Sequence, residues 1–341
     1  VNGDIFHNLH LFANPIDKFR PSDKEIQRAL KKKKGSNLIY FGPGVHNLPN
    51  DTLFVPSGTT VYIDGGARVY GNIFTEGAHD VNIFGRGEVH PDGRGAGVWV
   101  RRSKNVRIDG IVVSQLPIGQ CDSVELTNVK SISYYGWGDG MDVFSSSNVI
   151  LDGVFCRNSD DCAAVYASTQ GFKGGSNNVL VKNATLWADV AHPINIGGHG
   201  DPNGMDTVQN VTFRNIDILD QAEKQVDYQG CLAINPGDNT LVRNITFENI
   251  RIEDFRNGQL VNFRISFNPK YCVSTGRGIQ NVLVKDVTYN GSGENLSIIA
   301  GYDENHKISG IRFVNLVVNG RKITDDMPGK PKWYKTGDMA G

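Results

Sequence analysis

Two short stretches concentrate acids where the surrounding chain has few: Gly136-Trp137-Gly138-Asp139-Gly140-Met141-Asp142, then Asn158-Ser159-Asp160-Asp161-Cys162. Asp160 follows Asp139 by 21 residues. If one winding of the chain takes that interval, Asp139 and the Asp160-Asp161 pair lie side by side on one face. Like charges so close shift one another's pKa, so that one carboxyl stays protonated near neutrality while another is ionised. An acid for the leaving oxygen and a base for water are what hydrolysis of a glycosidic bond requires. The competing reading is structural, because aspartates also cap turns, as Asp109 and Asp152 are expected to do at the ends of their strands. An adjacent pair one winding away from Asp-Gly-x-Asp is more than turn capping asks for. Asp142 stands three residues beyond Asp139, which on a straight strand turns it to the opposite face. It is expected to bind backbone at a turn, or else to join the substrate site.

The element that positions these acids is an internal repeat. Its core is Asn or Asp, an apolar residue, any residue, an apolar residue, any residue, Asp or Asn, then an apolar residue often preceded by Gly. Copies include Asn105-Val106-Arg107-Ile108, Asn148-Val149-Ile150-Leu151, Asn178-Val179-Leu180-Val181, Asn210-Val211-Thr212-Phe213, Asn244-Ile245-Thr246-Phe247 and Asn281-Val282-Leu283-Val284. Most fall 25 to 37 residues apart. Each copy is a short strand with one buried face, ended by a turn residue. One such strand buries too little to be stable, but coil stacked on coil pairs the backbone groups and builds one continuous core. The expected fold is therefore all-β: a single-stranded right-handed parallel β-helix, a solenoid whose uneven repeat sends loops of variable length from one side.

A solenoid must close its ends. Ser22-Asp23-Lys24-Glu25 reads as a capping box before Ile26, Ala29 and Leu30, with Gly35 as the stop, so a short helix is expected to plug the first coil. The basic run Lys31 to Lys34 favours the negative end of that helix. The expected organisation is one β-helix domain: an N-terminal cap over 1–36, coils over 37–320, and a tail over 321–341 lying on the last coil.

Composition narrows the partners. Lys plus Arg number 35 against 36 Asp plus Glu, leaving no electrostatic footprint for nucleic acid or an anionic membrane. No apolar run approaches the roughly 18 residues of a membrane span, and Val1-Asn2-Gly3-Asp4 carries none of the parts of a signal peptide. Forty glycines fit a chain of many turns. The five cysteines (Cys121, Cys156, Cys162, Cys231, Cys272) share no metal-type spacing and read as small buried apolar residues, with a Cys156–Cys162 disulfide left open. Asn-x-Ser/Thr triplets at Asn183, Asn210 and Asn244 belong to the repeat, so they report coil geometry and not processing.

The acid motifs also carry a resemblance. Asp139-Gly140-Met141-Asp142, followed by Asn158-Ser159-Asp160-Asp161-Cys162-Ala163-Ala164, resembles the Asn-Thr-Asp-Gly-x-Asp and Asp-Asp-Cys-Ile-Ala motifs of the polygalacturonase family of glycoside hydrolases, family 28, at similar spacing. Ala191-His192-Pro193-Ile194-Asn195-Ile196-Gly197-Gly198 resembles that family's Gly-His-Gly-x-Ser-Ile-Gly-Ser segment. The resemblance implies an inverting hydrolase that uses no metal or other cofactor. It makes Asp160 the general acid, gives Asp139 and Asp161 the water, and has His192 tune the acid's protonation. The family's Arg-x-Lys, which grips a substrate carboxylate, should fall where this chain reads Cys231-Leu232-Ala233-Ile234-Asn235. No cation stands there, which raises the expectation of a neutral glycan such as an α-glucan. A softer likeness to the dextranase and isopullulanase family, family 49, rests on Asn8 to Pro15 and Tyr40 to Val45; that family's extra N-terminal sandwich domain is not expected here.

Other residues are expected near the cleft. His199 is an alternative match to the family histidine. Trp137 and Tyr135 stand beside the first acid cluster, where an aromatic face either stacks on sugar or simply packs. Arg264 and Lys270 are open to two readings, replacement cations or surface charge. Two other functions compete with hydrolysis: a polysaccharide lyase, which needs aspartate-held calcium and an Arg or Lys base, and a non-catalytic glycan-binding β-helix. The expected partner is a poly- or oligosaccharide, the expected state a monomer, and the expected location secreted or periplasmic.

Overall fold

The repeat's apolar positions stack coil on coil. Val81 pairs with Val106, then Val124, Val149, Val179, Val211, Ile245, Val282 and Ile311 follow on successive strands, each parallel to the last. A second column runs Ile83, Ile108, Leu126, Leu151, Val181, Phe213, Phe247, Val284 and Phe313. Both columns feed one continuous apolar core reaching from Leu48 to Val318. Fully burying each such side chain is worth about 1.5–3 kcal/mol. The chain is thus a right-handed parallel β-helix, as the repeat implies. The computed structural model describes residues 4–31, 35–225, 228, 230–293, 295–327 and 334–336.

The coil turns explain the repeat's asparagines. Asn148, Asn178, Asn183, Asn210, Asn244 and Asn281 all have φ of 55–56°, the left-handed region that Asn tolerates better than other side chains. Their amides ladder between coils: Asn178 Nδ2 donates to Asn148 Oδ1 at 2.7 Å, Asn244 to Asn210 at 3.1 Å and Asn183 to Asp152 at 2.7 Å. Asp152 therefore serves the turn, as expected. Asp109 does not; it pairs with Arg86 at 2.7 Å.

The helix Asp23–Leu30 forms where its capping box stands, with Ser22 and Glu25 bonding reciprocally and Ile26 buried. Lys32 to Lys34 lie outside the described residues. Ahead of the helix, the N-terminal segment is more than an end cap. It runs along the coils as a strap: Arg157 Nη2 donates to Ile5 O at 2.9 Å, Arg86 Nη2 to Pro15 O at 3.3 Å, and Tyr62 Oη to Asp17 at 2.6 Å. The tail differs too, because Tyr334–Thr336 adds a parallel strand to Ser297–Ala300 rather than merely lying over it. All five cysteines are buried and free.

Candidate active site

Three consecutive coils bring their turns together on one face. The strands Val143–Phe144, Ala163–Tyr166 and Ile194–Ile196 pair in parallel, Val143 with Val165 and Val165 with Ile196. The turns before them carry Asp139 to Asp142, Asp160 to Asp161, and His192. These turns are bonded rung to rung: Gly140 N donates to Asp161 O at 2.7 Å, Met141 N to Cys162 O at 2.9 Å, and Cys162 N to His192 O at 2.8 Å. Met141 and Cys162 are fully buried in the apolar core. Each turn thus roots one side in the core and presents its carboxylate on the other. One carboxylate oxygen from each of Asp139, Asp160 and Asp161 lies within 4.8 Å of the others.

The three acids have different surroundings. Asp161 is buried and ringed by donors: His192 N at 3.0 Å and His192 Nδ1 at 2.7 Å reach Oδ1, while Tyr166 Oη at 2.6 Å and Asn195 Nδ2 at 2.8 Å reach Oδ2. His192 Nε2 also meets Tyr228 O at 2.5 Å. A carboxylate and a carbonyl can only accept, so both ring nitrogens donate and His192 is an imidazolium. Burial by itself would raise the Asp161 pKa and lower that of His192. Their mutual attraction overrides it, holding Asp161 at about 2 and lifting His192 to about 9. Asp160 has no such partner; burial first, then the charge of Asp161, push its pKa up to about 7. Burial and the charges of Asp160 and Asp161 likewise raise Asp139 well above the carboxylate range.

A cavity of about 280 Å³ opens over these groups, lined by Trp137, Asp139, Asp142, Asp160, Asp161, His192 and His199 among others. Most of the expected site residues therefore converge, with corrections at Asp142 and Tyr135. Asp142 does not face away; residues 138–142 form an irregular turn, so strand alternation does not apply, and it lines the cavity beside Asp139. Tyr135 does not line the cavity; its hydroxyl is bonded to Gly95. His192 bonds Asp161 and not Asp160, while its positive charge also acts to lower the Asp160 pKa. His192, the favoured match to the family histidine, is the partner of Asp161, and the alternative His199 stands edge-on to Tyr166 at 5.0 Å in the same cavity. Of the two candidate cations, neither lines the cavity, although Lys270 sits over the ring of Tyr271, which does.

Several lining residues have no mark in the sequence, Tyr166, Glu223, Tyr228 and Tyr271, and Asn195, which bonds Asp161, stood in the histidine motif with no role assigned to it. Asn195 was within reach of a register argument, since it stands three residues after His192 as Asp142 does after Asp139. The tyrosines of later loops carry no such signal. Among the described residues, the three aspartates are the one group of three His, Cys, Asp or Glu close enough to share a metal ion. Their fit to a hard cation is poor, because donors already occupy both oxygens of Asp161.

Gly140 shows how tightly the acid turn is held. A Cβ there would lie 2.2 Å from Cys162 O and 2.6 Å from Asn158 Oδ1. Gly140→Ala is therefore expected to cost about 1–3 kcal/mol of stability and to displace Asp139, lowering both melting temperature and turnover. Unchanged melting and activity in that variant would show that the turn yields without loss.

Comparison with known proteins agrees with this geometry. The family model of glycosyl hydrolases family 28 matches residues 98–328, more than half of the chain. A polygalacturonase of Juniperus ashei is 26% identical over 295 residues, 76% of this chain and 54% of that protein; the chain spans about half the length of the curated relatives it matches. Among solved structures, the family 28 exopolygalacturonase of Yersinia enterocolitica superposes with a TM-score of 0.63 at 14% identity, covering 87% of this chain and 74% of that one. The endo-xylogalacturonan hydrolase of Aspergillus tubingensis gives 0.56 at 16% identity, covering 93% and 95%. At such identities the superpositions speak for the fold, whereas the match over residues 98–328 takes in both acid turns and the histidine turn, and the chain belongs to glycosyl hydrolases family 28.

Proposed function

We propose that this protein hydrolyses glycosidic bonds of a poly- or oligosaccharide by direct attack of water. The observation that carries the reading is the split among neighbouring carboxyls, Asp160 raised to about 7 beside Asp161 held at about 2, with oxygens within 4.8 Å. Asp160 gives its proton to the leaving oxygen as the bond to the anomeric carbon breaks. Water beside the fixed negative charge of Asp161 forms the new bond to that carbon and passes its proton to Asp139, so Asp139 and Asp160 together carry one proton in the reactive state. Transfer of that proton back to Asp160 through solvent restores the enzyme. We propose inversion at the anomeric carbon. By spacing alone, oxygens within 4.8 Å fall short of the roughly 6.5–9.5 Å common to inverting pairs. Product anomers followed by NMR decide between them, and retention would require one aspartate to act as nucleophile.

The lining favours an uncharged sugar. Among the described residues, five acidic side chains line the cavity and no Lys or Arg does, while the strand Leu232–Ile234, where a carboxylate clamp is expected, is buried and apolar. An anionic sugar would meet there only the cation of His192, which Asp161 already neutralises. We therefore favour a neutral glycan such as an α-glucan. Lys270 supports a second reading, in which a rim cation over Tyr271 grips polygalacturonate from outside the cavity. A panel of pectic polymers, α-glucans and other plant and microbial glycans separates them: release of reducing ends from neutral glycans is expected, and cleavage of polygalacturonate alone would reject the neutral class. Among the described residues, no Lys or Arg lines the cavity to serve as the base of a lyase. We propose that the enzyme works as a secreted or periplasmic monomer, where such polymers are met.

A further inference from the structure

We infer that Trp137 is a specificity-determining platform that stacks on the face of a pyranose ring carrying no carboxylate, beside the reacting acids. The inference rests on the hydrolase reading for its setting, but not for its evidence. Trp137 lines the cavity yet is 66% exposed, so packing does not explain its aromatic ring. Its backbone has φ of 62°, and it is the one aromatic residue among the described non-glycine residues with positive φ; most of the others are Asn or Asp. A bulky side chain held in the left-handed region costs free energy that Gly or Asn would avoid at this turn.

The turn is also held from several directions. Gln115 Nε2 donates to Trp137 O at 2.8 Å, Ser133 Oγ donates to Gly138 O, Ser159 Oγ donates to Tyr135 O, and the Tyr135 hydroxyl is tied to Gly95. Both sides of the indole's attachment are thus fixed while the ring itself stays open to solvent. Strain, exposure and anchoring together describe a flat apolar surface kept ready beside the acids, which suits the C–H face of a sugar. The one negative charge that Asp139 and Asp160 share, with that of Asp161 beside it, opposes an anionic ring at that place and leaves a neutral one unopposed.

Binding can be read without turnover in Asp160→Asn, where quenching of intrinsic fluorescence by neutral α-gluco-oligosaccharides is compared with quenching by oligogalacturonides. The neutral series is expected to quench more strongly, and the signal should vanish when Trp137→Gly is added. In otherwise unaltered enzyme, Trp137→Gly and Trp137→Ala are expected to raise KM about tenfold with kcat changed less than about threefold. Melting of the glycine variant should be no lower than that of the parent, because glycine relaxes the left-handed turn. A purely structural tryptophan would lower melting and leave KM alone. Equal quenching with and without Trp137 overturns the platform, and equal quenching by oligogalacturonides overturns its neutral ligand class. Quenching through Trp137 with no turnover of any glycan by the parent enzyme would sink the hydrolase reading while supporting the platform.

Discussion

Asp160→Asn is expected to lower kcat by about 10²–10⁴ while leaving the coils intact. The amide oxygen can still accept the bond that Asp161 N now gives Asp160 Oδ1 at 3.0 Å, so the turn keeps its geometry and loses only the transferable proton. The same variant makes a stability prediction of definite sign. Asp160 has a folded pKa of about 7 against an ordinary 3.8, so the folded state binds the proton more tightly than the unfolded chain. Stability from this group is therefore present below pH 3.8 and is lost as pH rises through about 7. Asparagine never ionises and escapes that loss. Its melting temperature should match the parent's near pH 4 and exceed it at pH 8. The pH profile of the parent's kcat/KM should fall on its alkaline side near pH 7, where Asp139 and Asp160 give up their shared proton. Activity of Asp160→Asn within tenfold of the parent would remove the general acid from the proposal.

The second large effect belongs to the buried pair of Asp161 and His192. Replacing His192 with Ala strands a buried carboxylate, and breaking such a pair costs about 3–5 kcal/mol. The opposite shifts of the two groups set the window. His192 is raised to about 9 from 6.5, so its stabilisation is whole below pH 6.5 and fades as pH rises through about 9. Asp161 is lowered to about 2 from 3.8, so its share is present above 3.8 and fades as pH falls through about 2. Denaturant unfolding should show the penalty of His192→Ala at full size between pH 4 and 6.5, and much reduced near pH 10. Adding Asp161→Asn should recover part of the loss, since the stranded charge is then gone. A penalty of equal size at pH 5 and pH 10 would mean that His192 is neutral. Turnover should fall as well, because an unpaired Asp161 takes up a proton at higher pH and no longer supplies the fixed negative charge beside the water.

The coils were legible because their information is local. Each copy of the repeat names its own buried face and its own turn, and stacking adds only the requirement that like meet like. The Asn of each copy marked a turn, which the fold makes a left-handed corner whose amides ladder from coil to coil. The acid turns were legible for the same reason: an interval of 21 residues is one winding, so adjacency followed from counting. Alternation misled at Asp142, where the rule for straight strands was applied to a turn that is not one.

What only the tertiary structure decided lies between coils far apart in sequence. The strap from Ile5 to Asp17 meets partners as distant as Arg157, and nothing in its composition names them. Tyr228 and Tyr271 come from loops of later coils whose lengths carry no periodic signal, yet Tyr228 O is what holds the second nitrogen of His192 and completes its charge. A repeat constrains the backbone that every coil shares, whereas loops leave that backbone at variable length and settle by side-chain packing and hydrogen bonding. The residue types that do chemistry here were therefore readable in the chain, and the protonation state of each was set by neighbours that only folding supplies.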